Sequence, residues 1–192
     1  MEEQQRSEEL EEYAVVLDYL STGKSFSVKS EPVVQLVGEN KFTLLEAVPK
    51  EGAAIKIGDL VYIGKNERDK ISLIKSRINY DTLTEVAKKE LPGAITFIIK
   101  KNEKRFVDVF NVAGPINIRE HSLELLPGIG KKHLKAIIAA RQQKKFESFA
   151  DITARVPLLQ DPVKLLTERV LVELKGESRF YLFCRPYIKR TY

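Results

Sequence analysis

The chain has 192 residues, 43% of them hydrophobic and 31% charged, with a formal net charge of +5. That balance suits one or two globular domains with material for a core, and no window approaches the roughly 18 to 20 uninterrupted apolar residues of a spanning helix, so no membrane association is expected. A lone cysteine, Cys184, excludes an internal disulfide and a cysteine-built zinc site, and His121 and His133 stand too far apart to suggest a metal centre.

The charge is uneven. Residues 1–12 hold six glutamates against one arginine, a net of −5, which leaves +10 on the other 180 residues. This acidic start lacks the apolar stretch of a secretory signal, so a cytoplasmic location is the expectation, and with few apolar anchors it reads as a flexible tail. A basic body behind it suits a polyanionic partner, although lysine-rich surfaces also serve solvation alone.

Residues 13–80 read as about five strands. "YAVVLDYL" precedes the polar loop "STGKSFSVKSEP". "PVVQLVG" and "KFTLLEAV" flank a turn at Glu39 and Asn40, and "IKIGDLVYIG" turns at Gly58-Asp59. "ISLIKSRINY" completes the set, with Ile71, Leu73 and Ile78 expected inward. The spacing fits a small barrel of oligonucleotide-binding (OB) type, or a plain structural barrel. Tyr62, Phe42 and Tyr80 are its candidate base-stacking aromatics, with burial the competing fate.

From Asp81 the period turns helical. Asp81 is the expected N-cap of "DTLTEVAKKEL", and Pro92 is expected to open a second helix. That helix carries an apolar stripe of Ile95, Ile98, Ile99, Phe106, Val109 and Phe110, most simply core. Lys100, Lys101, Lys104 and Arg105 lie largely off the stripe, either as a solvated face or as a grip on a nucleic-acid backbone. Gly114-Pro115 ends it.

Short helices are expected over Arg119–Leu126, Lys131–Arg141 and Ser148–Val156. A last helix has Asp161 as N-cap, Pro162 in its first turn and Gly176 beyond its end. "RFYLFC", residues 179–184, reads as a closing strand. The fold class is therefore α+β, with a barrel over 13–80 and a helical domain over 81–192.

One stretch carries chemistry, "LELLPGIGKKHLKAIIAAR". Pro127 stops a helix, Gly128 and Gly130 allow a tight turn, and a new helix opens at once. The first N–H groups of that helix lack intrahelical partners and, with the dipole, favour an anion. Lys131 and Lys132 add charge there. Lys135 and Arg141 extend the candidate cation set along the helix, and Lys101 and Lys104 from the preceding basic cluster complete it. A nucleotide-hydrolase phosphate loop is excluded, because Leu125 holds the place of its first glycine, Lys132 that of its Ser/Thr, and a helix precedes.

Followed by "KKFESFADITARV", the stretch resembles the helix-hairpin-helix modules of DNA repair, recombination and DNA-uptake proteins over residues 119–156. The resemblance implies sequence-independent phosphate binding, with Gly128, Ile129 and Gly130 as the hairpin and Lys132 at the phosphate. It implies that Leu126, Ile137 and Ile138 are core. Leu134 departs from it, standing where such modules carry a small alanine, which would widen the helix pair. "VPLLQD" further on is a degenerate echo without the glycines, suited to packing and not to a second grip.

The whole chain, including "RDKI" and "DPVKL", resembles an archaeal family of uncharacterised proteins, domain of unknown function 655. This implies an OB-like barrel joined to a helix-hairpin-helix domain and no established activity. Family members stand near ribosome- and transcription-related genes, which tilts the implied ligand toward RNA.

The expectation is a non-enzymatic protein that binds RNA or duplex DNA without a cofactor or metal. The alternative is a protein-interaction module in a ribosome- or transcription-linked assembly. No Ser/Cys–His arrangement or metal-spaced carboxylate set suggests catalysis.

Overall fold

The computed structural model describes residues 11–21 and 31–187. It is mixed α+β, with a curled five-stranded antiparallel sheet forming a half-barrel and five helices. The strands are β1 Tyr13–Leu20, β2 Val33–Gly38, β3 Leu44–Pro49, β4 Leu60–Tyr62 and β5 Ile71–Arg77, in the order β4-β1-β2-β3-β5. Two compact units divide the chain. One holds Met1–Ala94, Glu173–Glu177 and Phe183–Tyr192, and the other holds Ile95–Val172 and Ser178–Leu182. The division falls inside a helix, whereas the expected boundary at residue 80 marks the end of the sheet.

Both faces of the central strands are buried. One face gathers Ala14, Val16, Val34, Leu36, Leu45 and Ala47 into the sheet's core. The other buries Val15, Leu17, Val37 and, among them, the polar Gln35 and Glu46. Gln35 Nε2 donates to Glu46 Oε1 at 3.0 Å and to the Thr82 carbonyl at 3.2 Å, and Gln35 Oε1 accepts from Thr84 N at 2.9 Å. Thr84 Oγ1 donates to Asp18 at 2.6 Å and accepts from Ala87 N at 3.0 Å. Thr84 is thus the N-cap of α1 (Glu85–Lys101). Asp81 lies instead inside a 3-10 turn, Tyr80–Thr82, capped by Asn79.

Three further expectations are corrected here. Glu11 and Glu12 are anchored and not frayed, since the Glu11 carboxylate accepts from the amides of Asn40, Lys41 and Thr43, and Glu12 O accepts from Ile63 N at 2.7 Å. The remainder of the acidic tail lies outside the described residues. In β5, Ile74 and not Leu73 turns inward, because two register shifts in the β3–β5 pairing change the phase and leave Leu73 exposed. Residues 179–184 form no strand. The amides of Phe183 and Cys184 bond the Glu173 carboxylate, both at 2.9 Å, and the Phe180 carbonyl is held by Arg169 and Ser178.

Pro92 does not start a new helix; α1 runs through it. An interior proline costs about 3 kcal/mol, and full burial of Leu91, Ile95, Ile98 and Ile99 on one stripe offsets that at about 1.5–3 kcal/mol each. The break falls at Asn102, whose backbone N and Nδ2 both donate to Ile98 O, at 3.1 and 3.0 Å. α2, Glu103–Val112, therefore starts in a new phase. Phe106, Val107 and Phe110 are buried, and Val109, expected in the stripe, is only half-buried.

The expected helix over Arg119–Leu126 is a 3-10 turn, Ser122–Leu125. Asn117 Oδ1 takes the amides of Arg119 and Glu120, and Pro115 bridges His121, so the preceding backbone loops tightly. His121 Nδ1 accepts from Leu123 N at 3.2 Å, while Glu124 Oε2 accepts from His121 N at 3.0 Å, a reciprocal capping box. α3, Lys131–Gln143, and α4, Phe149–Arg155 with Ser148 as cap, follow as expected. α5, Pro162–Leu174, is capped by Asp161, which accepts from Val163 N at 2.9 Å.

Two turns share a backbone pattern. Gly128 has φ +82, and Ile129 N donates to Leu126 O at 3.1 Å; Leu158 has φ +62, and Leu159 N donates to Val156 O at 3.4 Å. Ile129 and Leu159 are both buried, and each turn leads into a 13-residue helix. The echo in "VPLLQD" thus keeps the conformation without the glycine. Leu158 is 84% exposed, so its side chain gains little to offset a left-handed backbone.

Two predictions follow from this geometry. Leu158→Gly should raise stability by about 0.5–1 kcal/mol, the relieved strain less the added chain entropy, read as the denaturation midpoint. A lower midpoint would show that the Leu158 side chain packs. Burial, and then the Arg141 charge, hold the His121 pKa below its ordinary value, and its cap requires an unprotonated Nδ1. Stability is therefore full above the ordinary imidazole value and is lost as pH falls through it to the lower native one. His121→Asn keeps a capping acceptor, so the fall in thermal midpoint from about pH 7.5 to about pH 5.5 should be shallower than in the unaltered protein.

Candidate functional site

The turn at 126–131 is built from apolar anchors around a short polar tip. Leu123, Leu126 and Ile129 are buried, and Gly128 supplies the left-handed residue between them. Gly130 is the N-cap of α3 in extended conformation, and its carbonyl accepts from Leu134 N at 2.9 Å. No side chain caps this helix. Its first amides therefore carry the partial positive charge of a helix start without a local carboxylate on them. Leu134, the departure from the helix-hairpin-helix pattern, is buried, and α3 still begins in register at Lys131.

The candidate cations separate into committed and exposed groups. Lys131 Nζ lies 2.8 Å from Glu124 and 3.2 Å from the Arg119 carbonyl, so it ties α3 to the capped turn before it. That ammonium, with the His121 amide, holds the Glu124 carboxyl below its usual range. Arg141 Nη1 donates to Phe110 O at 2.9 Å, a guanidinium at the C-terminal end of α2. Lys132 and Lys135 are exposed and make no ion pair among the described residues.

Two contacts escaped the sequence reading. His133 Nδ1 sits 3.1 Å from Gly128 O and must donate there, which staples the helix start to the turn. Glu124 is Lys131's partner, and only its place three residues after His121 could have signalled it. Of the residues implied as core, Leu126 and Ile137 are buried and Ile138 is half-buried. Lys101 and Lys104 lie at the α1–α2 break, in an open depression with Lys100 and Arg105, where Glu103 and Asp108 offset part of the charge.

The second turn differs in chemistry. The Asp161 carboxylate takes the Val163 amide, Pro162 has no N–H to offer, and no lysine follows until Lys164. An anion would meet a negative charge there. Among the three candidate aromatics, Phe42 is fully buried. Tyr80 lies between two ammonium groups, Lys88 at 5.9 Å and Lys175 at 5.4 Å from the ring centre. Tyr62 lines a cavity of about 440 Å³ in the first unit. Among the described residues no group of three His, Cys, Asp or Glu is placed to hold a metal ion, and no helix is long and apolar enough to cross a membrane.

Comparison with known proteins places the chain among archaeal relatives. The uncharacterized protein MJ0038 of Methanocaldococcus jannaschii is 42% identical over 182 residues, covering 94% of this chain and 82% of that protein. The crystal structure of Af1531 from Archaeoglobus fulgidus shares 46% sequence identity and superposes with a TM-score of 0.84, covering 90% of this chain and 99% of that one. The family model described as "Protein of unknown function (DUF655)" matches residues 10–185. The chain belongs to the DUF655 family.

Proposed function

We propose that this chain binds nucleic acid by its phosphates, without reading base sequence and without catalysis, and that the 126–131 turn acts as a helix-hairpin-helix grip. One conjunction carries the reading: a positive-φ glycine, the uncapped start of a 13-residue helix, and two exposed lysines meet at one place. A phosphate oxygen set against the first amides of α3 gains hydrogen bonds and the dipole's field. Lys132 then neutralises its charge, with Lys135 one turn further along the helix. Such contacts carry affinity and no sequence information. The strand order β4-β1-β2-β3-β5 supports an OB-like barrel, open between β4 and β5, as the companion module. RNA and duplex DNA offer the same phosphate chemistry to this grip.

A second reading, a protein-interaction module, is favoured by Val112, Ile118 and Leu158, apolar side chains of the second unit that stand in solvent.

A salt-titrated binding panel of duplex DNA, structured RNA and single strands separates the two. Lys132→Glu with Lys135→Glu should lower affinity at least tenfold for every sequence and flatten the salt dependence by roughly one to two phosphate contacts' worth. Lys131→Gln should instead lower the thermal midpoint and weaken binding less, because Lys131 already serves Glu124. Unchanged binding in the double variant discards the hairpin as the contact. A nucleic-acid-free protein that stays a discrete heteromer at high salt supports the second reading.

A further inference from the structure

The first unit holds a cavity at the opening between β4 and β5, the two edge strands that do not pair with each other. Its volume, about 440 Å³, falls within the roughly 300–1,000 Å³ usual for small-molecule sites. Leu45 on β3, Ile63 after β4 and Ile74 on β5 give it apolar walls.

The Tyr62 ring forms a further wall and is held from three sides. Tyr13 packs edge-on at 5.3 Å between ring centroids, and the Asn66 amide donates to the Tyr62 hydroxyl at 3.2 Å. Gly64 lies under the ring, where a β-carbon would come within 2.4 Å of the Tyr62 hydroxyl oxygen. Residue 64 must be glycine for the ring to lie there. A fixed aromatic face is a stacking surface that is already ordered before a ligand arrives.

The cavity also holds a placed cation. Arg68 Nε donates to the carbonyls of Ile63 at 3.1 Å and Gly64 at 2.9 Å, which fixes the guanidinium by one edge. Its two Nη groups meet no partner among the described residues. Lys65 stands exposed on the same rim. The two carboxylates present differ in what they can do. Glu11 is saturated by three backbone amides, whereas Glu12 lies exposed at the edge and can accept from a ligand N–H.

We infer that this cavity binds a nucleoside phosphate. A flat base fits between Tyr62 and the aliphatic wall, its amine or ring N–H within the reach of Glu12 or Asn66, and the phosphate takes the bidentate fork that Arg68 leaves open. The ligand is either a free mononucleotide or one unpaired nucleotide of a strand. The inference deepens the nucleic-acid reading for the first unit and does not rest on the hairpin.

Calorimetric titration of the full chain tests it, with adenosine and uridine 5′-monophosphates, the matching nucleosides, inorganic phosphate and a ten-nucleotide single strand as probes. Binding of the monophosphates, at least tenfold tighter than the nucleosides or inorganic phosphate, identifies the free source. Binding of the strand alone identifies the strand source. In either case Arg68→Gln should weaken binding at least tenfold, and where the monophosphates bind, Lys132→Glu with Lys135→Glu should leave their affinity unchanged. Because Arg68 also ties its loop, Ile74→Trp, which fills the cavity, and Lys65→Glu are run beside it with circular dichroism to confirm the fold. Folded Ile74→Trp protein that still binds as tightly overturns the inference. So does inorganic phosphate competing as well as the nucleotides, or no binding by any probe. Loss of strand binding in the lysine variant, with mononucleotide binding intact, supports both the cavity and the hairpin as separate contacts.

Discussion

Burial of the sheet on both faces imposes the strictest demand on the first unit, because a polar side chain at its centre has no water to turn to. Gln35 meets that demand by spending both ends of its amide, donating to Glu46 and the Thr82 carbonyl and accepting from Thr84 N. An unpaired buried amide would cost on the order of 1–3 kcal/mol. The solution also decides where a helix begins. Thr84, fixed by Gln35 and Asp18, caps α1, so the register of the first helix is set from the sheet and not by the aspartate three residues earlier. A single buried polar position thus links strand packing to helix placement.

The two turns of the second unit illustrate how one backbone can carry opposite electrostatics. Both place a left-handed residue before a buried aliphatic one and a helix start. At the first, glycine at the cap leaves the amides of α3 open and lysines follow. At the second, Asp161 and Pro162 satisfy or remove the same donors. Conformation alone therefore does not mark an anion site; the identity of the cap decides it. Keeping Leu158 where glycine would relax the chain indicates that packing of Val156 and Leu159 over-determines the turn.

What could be read from the sequence was governed by range. Asp161 was legible as a cap because its partner, Val163 N, lies two residues on. Gly128 was legible because glycine takes a left-handed turn conformation at little steric cost. The path of α1 through Pro92 was not, since it depends on burial summed along the helix, which outweighs one missing N–H. Residues 179–184 form an apolar, aromatic-rich run like that of a strand, yet Glu173 and Arg169, about ten residues earlier, capture their backbone groups. Within the candidate site, the turn and Lys132 were evident. The commitments of Lys131 and Arg141 were not, because Arg141's acceptor lies 31 residues away. The cavity escaped notice because it exists only where the sheet is left open between β4 and β5, two strands that follow each other in sequence without pairing.

These commitments change the meaning of the net charge. A count of +10 outside the acidic start treats every cation as available to a polyanion. Arg68, Arg141, Arg155 and Arg169 all donate to backbone carbonyls, several of them at helix ends. The planar guanidinium suits that work, matching carbonyl pairs while staying charged. Lysine, with one flexible ammonium on a long stem, is left to form most of the exposed positive surface. An electrostatic grip built on Lys132 and Lys135 would be solvated, mobile and strongly screened by salt. The fixed Arg68 fork would be neither mobile nor freely screened. On the proposed readings the two units would therefore offer an anion two different terms, the first selecting by shape and the second by charge alone.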